Sequence, residues 1–111
     1  MTENPTMPLR VTLLQMPVSR DKTENIQYAV EKLRELRRTD IAVLPEMFVC
    51  PYDIHQFAAY AETEEEQPAW SALAAVAQET GLYVVAGSVP ERVGNQLYNT
   101  SLVFDRSGKV I

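Results

Sequence analysis

Apolar positions along this chain fall into short compact runs that alternate with longer stretches of helical period, the pattern of an α/β domain. Residues 10–16 (RVTLLQM) form an apolar, β-branched run closed by Pro17, which predicts a first strand. Asp21, followed three residues later by Glu24, fits a helix start. Ile26, Val30, Leu33 and Leu36 or Arg37 then recur at spacings of three and four, so a helix is expected to run to about residue 38. Acidic residues lead it and Arg34, Arg37 and Arg38 close it, the order its dipole favours. Residues 41–44 (IAVL) are uninterrupted and apolar, as in a strand covered on both faces. Strand, helix and strand over this span make a βαβ unit, which implies parallel pairing and a right-handed crossover.

The second half is read in the same way. Pro51 and Tyr52 fall in a loop, and a short helix is expected around residues 54–60. Pro68 suits a first helical turn, and Trp70, Leu73, Ala74 and Ala77 recur at helical spacing until Gly81 stops the helix. A third strand, LYVVA at 82–86, is expected to continue through Gly87-Ser88-Val89 to Pro90. A fourth (QLYNTSLVF) covers 96–104, and Gly94-Asn95 in the connection predicts an antiparallel hairpin between the two. Asp105 to Gly108 reads as a turn, and Lys109 opens a fifth strand that the chain leaves unfinished at Ile111. The expected order is β-α-β-α-β-β in a mixed sheet, with helices on one face at least. Residues 1–8 read as a disordered lead-in and 9–111 as one incomplete domain.

Composition narrows the partners more than the chemistry. The chain has 111 residues, 46% apolar and 23% charged, with a net charge of −5, so nucleic-acid binding has no electrostatic support. No apolar run approaches the length of a membrane span, and the polar, proline-bearing start has no signal-peptide core. One cysteine and one histidine exclude an internal disulfide and any site built from several Cys or His ligands. The expectation is a cytoplasmic protein with no metal and no organic cofactor.

Glu46 is the candidate for chemistry. It follows the apolar run directly, with Pro45 fixing the backbone before it, and in open α/β sheets ligands collect at the carboxyl ends of strands. A carboxylate held there in apolar surroundings can act as a general base; as a plain surface acid it would merely cap the next turn. Cys50 lies four residues on but has no neighbouring histidine or helix N-terminus to stabilise a thiolate, so it reads as a small filler. His55 reads as a polar residue of the short helix, and Glu64-Glu65-Glu66 as solvated charge. Gly87-Ser88 lacks the glycines of a phosphate cradle, and no G-x-G-x-x-G follows the first strand, which leaves a nucleotide-binding reading resting on the βαβ unit alone.

Taken together, VTLLQMPV, the Asn25-bearing helix, DIAVLPEMF, CPYD, GLYVVAGSVPER and QLYNTSLVFDRSGKVI resemble the nitrilase, or carbon–nitrogen hydrolase, superfamily over residues 10–111. The PEMF and PY segments, Tyr60-Ala61-Glu62 and GSVPE with LYNT are most similar to the ω-amidase branch, whose members release ammonia from α-keto acid amides. The resemblance implies the N-terminal half of an α-β-β-α sandwich and a Glu-Lys-Cys triad acting on a small amide, in an enzyme that is homo-oligomeric when complete. Glu46 matches the family's glutamate. The matching lysine and cysteine would lie beyond Ile111, and neither Lys109 nor Cys50 takes their places. Tyr52 is, by the same resemblance, a substrate-pocket residue. A rival expectation is a non-catalytic remnant or interaction module, because half a sandwich leaves an apolar sheet face bare.

Overall fold

A computed structural model describes residues 7–111. Of the lead-in expected at 1–8, residues 1–6 lie outside the described residues, and Met7 is exposed. The elements are β1 (Val11–Leu13), α1 (Lys22–Glu35), β2 (Ile41–Val43), a 3₁₀ turn (Phe57–Tyr60), α2 (Pro68–Thr80), β3 (Tyr83–Val85), β4 (Val89–Val93), β5 (Gln96–Thr100) and β6 (Val103–Phe104). One sheet has the order β1-β2-β3-β6, parallel across its first two pairs and antiparallel at the last. The expected mixed sheet is therefore present.

Register sets which face is buried. Thr12, Ala42, Val84 and Phe104 lie side by side across the sheet. Ala42 and Val84 are fully buried and Phe104 nearly so, because α1 and α2, packed on each other, cover this side. The alternate rows, Val11-Ile41-Tyr83 and Leu13-Val43-Val85-Val103, belong to the opposite face. Val11 and Leu13 are exposed there, and the other five are only half-buried. Among the described residues this second face has no covering layer.

Both helices begin as their sequences demand, with differences in detail. Asp21 caps α1 by accepting from the Glu24 N–H at 3.1 Å, but the Asp21 N–H donates to Ser19 Oγ rather than to the Glu24 side chain. The helix ends at Glu35, earlier than the arginines suggested, since Leu36 is already extended and Arg38 is left-handed. Its buried stripe is Asn25, Ile26, Ala29 and Leu33, which shifts the contact toward small residues and away from Val30. Gly81 closes α2 in the left-handed conformation, as expected.

The antiparallel hairpin across Gly94-Asn95 is present, but the long strands expected on either side of it are not. The run 82–90 is not one strand: β3 stops at Val85, Gly87 turns the chain at φ +52°, and β4 starts at Val89. The run 96–104 is broken likewise, between β5 and β6. β4 and β5 pair antiparallel as a separate two-stranded sheet, while β6 returns to the main sheet beside β3. Continuous apolar and β-branched patterning hid both breaks, because a change of sheet leaves no mark on period-two alternation. The helix expected at 54–60 is only the 3₁₀ turn, and the fifth strand is a single bridge of Val110 to Phe104.

Candidate active site

The end of β2 is built against the end of β3. Leu44 N–H still bonds Val85 O at 3.0 Å, after which the two backbones press together. A Cβ on Gly87 would sit 2.0 Å from Pro45 O and 2.8 Å from Leu44 O, so only glycine fits there. Gly87→Ala should cost about 2–4 kcal/mol, from strain at positive φ plus overpacking against an immovable carbonyl. Denaturant unfolding checks this, and an unchanged midpoint would contradict it.

Beyond that contact the chain turns sharply through residues 46–49, with Met47 at φ +52°. The turn is held from three sides. Met47 N–H donates to Ser88 Oγ at 3.1 Å, and Ser88 N–H reaches back to Pro45 O at 3.4 Å. Asn25, 2% exposed on α1, donates from Nδ2 to Val49 O and Ser19 O, both at 2.9 Å, and accepts from Ser19 N–H at 2.8 Å. Phe48 and Val49 are fully buried in the core. Pinning its neighbours this way leaves Glu46 little backbone freedom while its side chain stays outside the core.

The Glu46 carboxylate opens onto a cleft of about 370 Å³ lined by Val43, Leu44, Val85, Gly87, Ser88, Asn99 and Ser101. Oε2 accepts a hydrogen bond from Asn99 Nδ2 at 3.0 Å. Asn99 lies on β5, so the strand that leaves the main sheet delivers the partner of the carboxylate. The expectation of apolar surroundings is corrected in part. The cleft wall contributed by Val43, Leu44 and Val85 is apolar, but Glu46 itself is exposed and its hydrogen-bond partner is an amide.

Tyr52 does not line that cleft. It is 72% exposed and stands edge-on to Phe57, with ring centroids 5.6 Å apart. It borders a neighbouring hollow of about 240 Å³ with Met47, Ile54, Leu97, Tyr98 and Asn99, and Asn99 is shared by both. Cys50 is buried, and desolvation pushes its thiol above the usual range against a smaller opposing pull from Lys22. It is therefore protonated at neutral pH, and a thiol reagent should modify it only after unfolding. Rapid labelling of the folded chain at pH 7 would contradict that. His55 is exposed in a turn around Asp53, and Lys109 lies in the turn organised by Asp105, so neither approaches the cleft.

Sequence reading missed Glu62 as a structural group. Its side chain is fully buried, pairs with Lys22 Nζ, and accepts from the N–H groups of Ala69 and Trp70 at 2.8 and 3.0 Å. Gln67, the residue in the cap position of α2, makes no side-chain cap bond, so Glu62 supplies the cap from a distance. Backbone bonds of Glu62 to Pro90 O and from Arg92 N–H tie the β4 end of the hairpin to it as well. The available signal was an acid six residues before Pro68, at a helix start whose own cap position holds Gln67. Among the described residues no cluster of His, Cys, Asp and Glu could hold a metal ion, and no helix is long and apolar enough to cross a membrane.

The sequence profile of the carbon-nitrogen hydrolases matches residues 10–111. The chain belongs to the carbon–nitrogen hydrolase family. A hydrolase of Schizosaccharomyces pombe is 44% identical over 105 residues, which cover 92% of this chain and 33% of that protein. The ω-amidase NIT2 of Xenopus tropicalis is 36% identical over 104 residues, covering 92% of this chain and 37% of its own length. Among solved structures, Saccharomyces cerevisiae Nit3, a member of branch 10 of the nitrilase superfamily, superposes with a TM-score of 0.83 at 33% identity, over 93% of this chain and 42% of Nit3. The fold is thus the N-terminal part of the nitrilase fold. This carbon–nitrogen hydrolase chain spans about a third of the length of the curated relatives it matches.

Proposed function

We propose that this chain is the base-bearing part of an amidase that hydrolyses a small amide through a thioester, with Glu46 carrying the protons. The observation that supports this best is the Glu46 carboxylate at the carboxyl end of β2, facing a cleft and held by Asn99. An amide carbon is a poor electrophile, and a thiol near its free pKa is mostly protonated at neutral pH. A fixed carboxylate within hydrogen-bond reach takes the thiol proton as sulfur attacks, and passes it to the departing ammonia. It then takes a proton from the water that attacks the thioester, and returns it to the departing sulfur as the acid is released. The resemblance assigns the nucleophilic cysteine, and a lysine that stabilises the oxyanion, to the two thirds of the relatives that this chain does not span. An ω-amidase-like substrate, a cytoplasmic location, a homo-oligomeric whole enzyme, and a domain over 9–111 that other polypeptide completes are parts of the same proposal. So is Tyr52, as a wall of the substrate site from the neighbouring hollow.

The test is a hybrid in which these residues replace the matching third of the S. pombe hydrolase. The hybrid should release ammonia from a short amide, and the 111-residue chain alone should not. Ammonia release by the isolated chain, abolished by removing Cys50, would overturn the proposal. A second reading, an interaction module without catalysis, draws support from the uncovered face bearing Val11 and Leu13, which are 52% and 71% exposed. An inactive but folded hybrid, together with concentration-dependent association of the isolated chain in sedimentation, would favour it.

A further inference from the structure

Resting on the assignment of Glu46 as the proton carrier, we infer that Asn99 is the positioning residue that turns a mobile surface carboxylate into a directed base. Glu46 is exposed, and a free glutamate side chain samples many rotamers, most of them useless for abstracting a proton at one point. The Asn99 amide has its Nδ2 on Oε2 at 3.0 Å, which restrains the carboxylate and leaves Oε1, among the described residues, without a protein donor. The geometry comes from the break in the sheets. Asn99 pairs with Pro90 across the β4–β5 hairpin, and a proline donates no hydrogen bond to its partner. The hairpin is anchored at one end by Gly87, lodged against Pro45. At its β4 strand it is anchored by the backbone of Glu62. Asn99 itself lines the cleft beside the carboxylate.

The inference is tested in the hybrid hydrolase with Asn99→Asp, Asn99→Ala, Glu46→Gln and the double variant Glu46→Gln with Asn99→Asp. Asn99→Asp keeps the shape and removes the donor. It should lower kcat by about 10- to 100-fold, with KM nearly unchanged, and Asn99→Ala should do the same. Added to Glu46→Gln it should cost nothing further, because Asn99 acts through that carboxylate. Wild-type kcat in both Asn99 variants, a loss confined to KM, or losses that multiply in the double variant would overturn the positioning role. If Glu46→Gln is inactive while the Asn99 variants are normal, the role of Asn99 fails and that of Glu46 stands. Full activity in Glu46→Gln removes both. Should an Asn99 variant fail to fold, NMR on the 111-residue chain with and without Glu46→Gln decides. The Asn99 Nδ2 protons should move on that substitution, and signals left unmoved would overturn the inference.

Discussion

Glu46→Gln in the hybrid hydrolase should lower kcat/KM for a short amide by about 10²- to 10⁴-fold. Stability should change by no more than about 0.5 kcal/mol, as for a substitution at an exposed position. The two effects separate because structure and chemistry use different parts of this residue. The backbone of the turn is pinned by Ser88, Asn25 and the buried Phe48 and Val49, while the carboxylate takes its hydrogen bond from Asn99. Glutamine keeps the shape and still offers Asn99 a carbonyl oxygen, but it cannot take up a proton. Steady-state ammonia release with parallel thermal melts is the measurement. A variant that keeps more than a tenth of the activity would show that the protons travel by another route.

Glu62→Ala should cost about 3–5 kcal/mol, the largest stability effect expected in the chain. Three partners would lose their acceptor together. Lys22 Nζ would be left partly buried without its counter-charge, and the Ala69 and Trp70 N–H groups would open α2 without a cap. Glu62→Gln, which keeps an acceptor for the helix but turns an amide N–H toward Lys22 Nζ, should cost less than that. Equilibrium unfolding in denaturant reads both values. Equal losses for Ala and Gln would place the energy in the ion pair, and a negligible loss for Ala would contradict the capping role.

Sequence pattern reveals the parts of this protein in which one local signal decides the outcome. Asp21 and Gly81 bound their helices because a cap is a matter of a few adjacent residues, and the apolar runs at 41–44 and 82–86 do become parallel strands, although only one of the two expected faces is covered among the described residues. The break after Val85 is different. It is decided by the approach of Gly87 to Pro45, a contact between segments far apart in the sequence, and the alternation of the hairpin continues unaltered across it. Glu46 was legible because strand, proline and acid are consecutive. Its partner Asn99, 53 residues away on a strand that changes sheets, was not. Glu62 was missed for a related reason: a cap is sought immediately before a helix, and this one reaches in from a neighbouring bridge. Glu62 is buried and Glu46 exposed, so on the proposed reading it is the exposed acid that does the chemistry.

A crystal structure of the hybrid hydrolase carrying a covalent acyl adduct on its nucleophile tests the central claim most directly. The account predicts a Glu46 oxygen about 3 Å from the reacting sulfur or the attacking water, with Asn99 Nδ2 on the other oxygen. A Glu46 side chain turned out of the cleft, with a different group beside the sulfur, would contradict it.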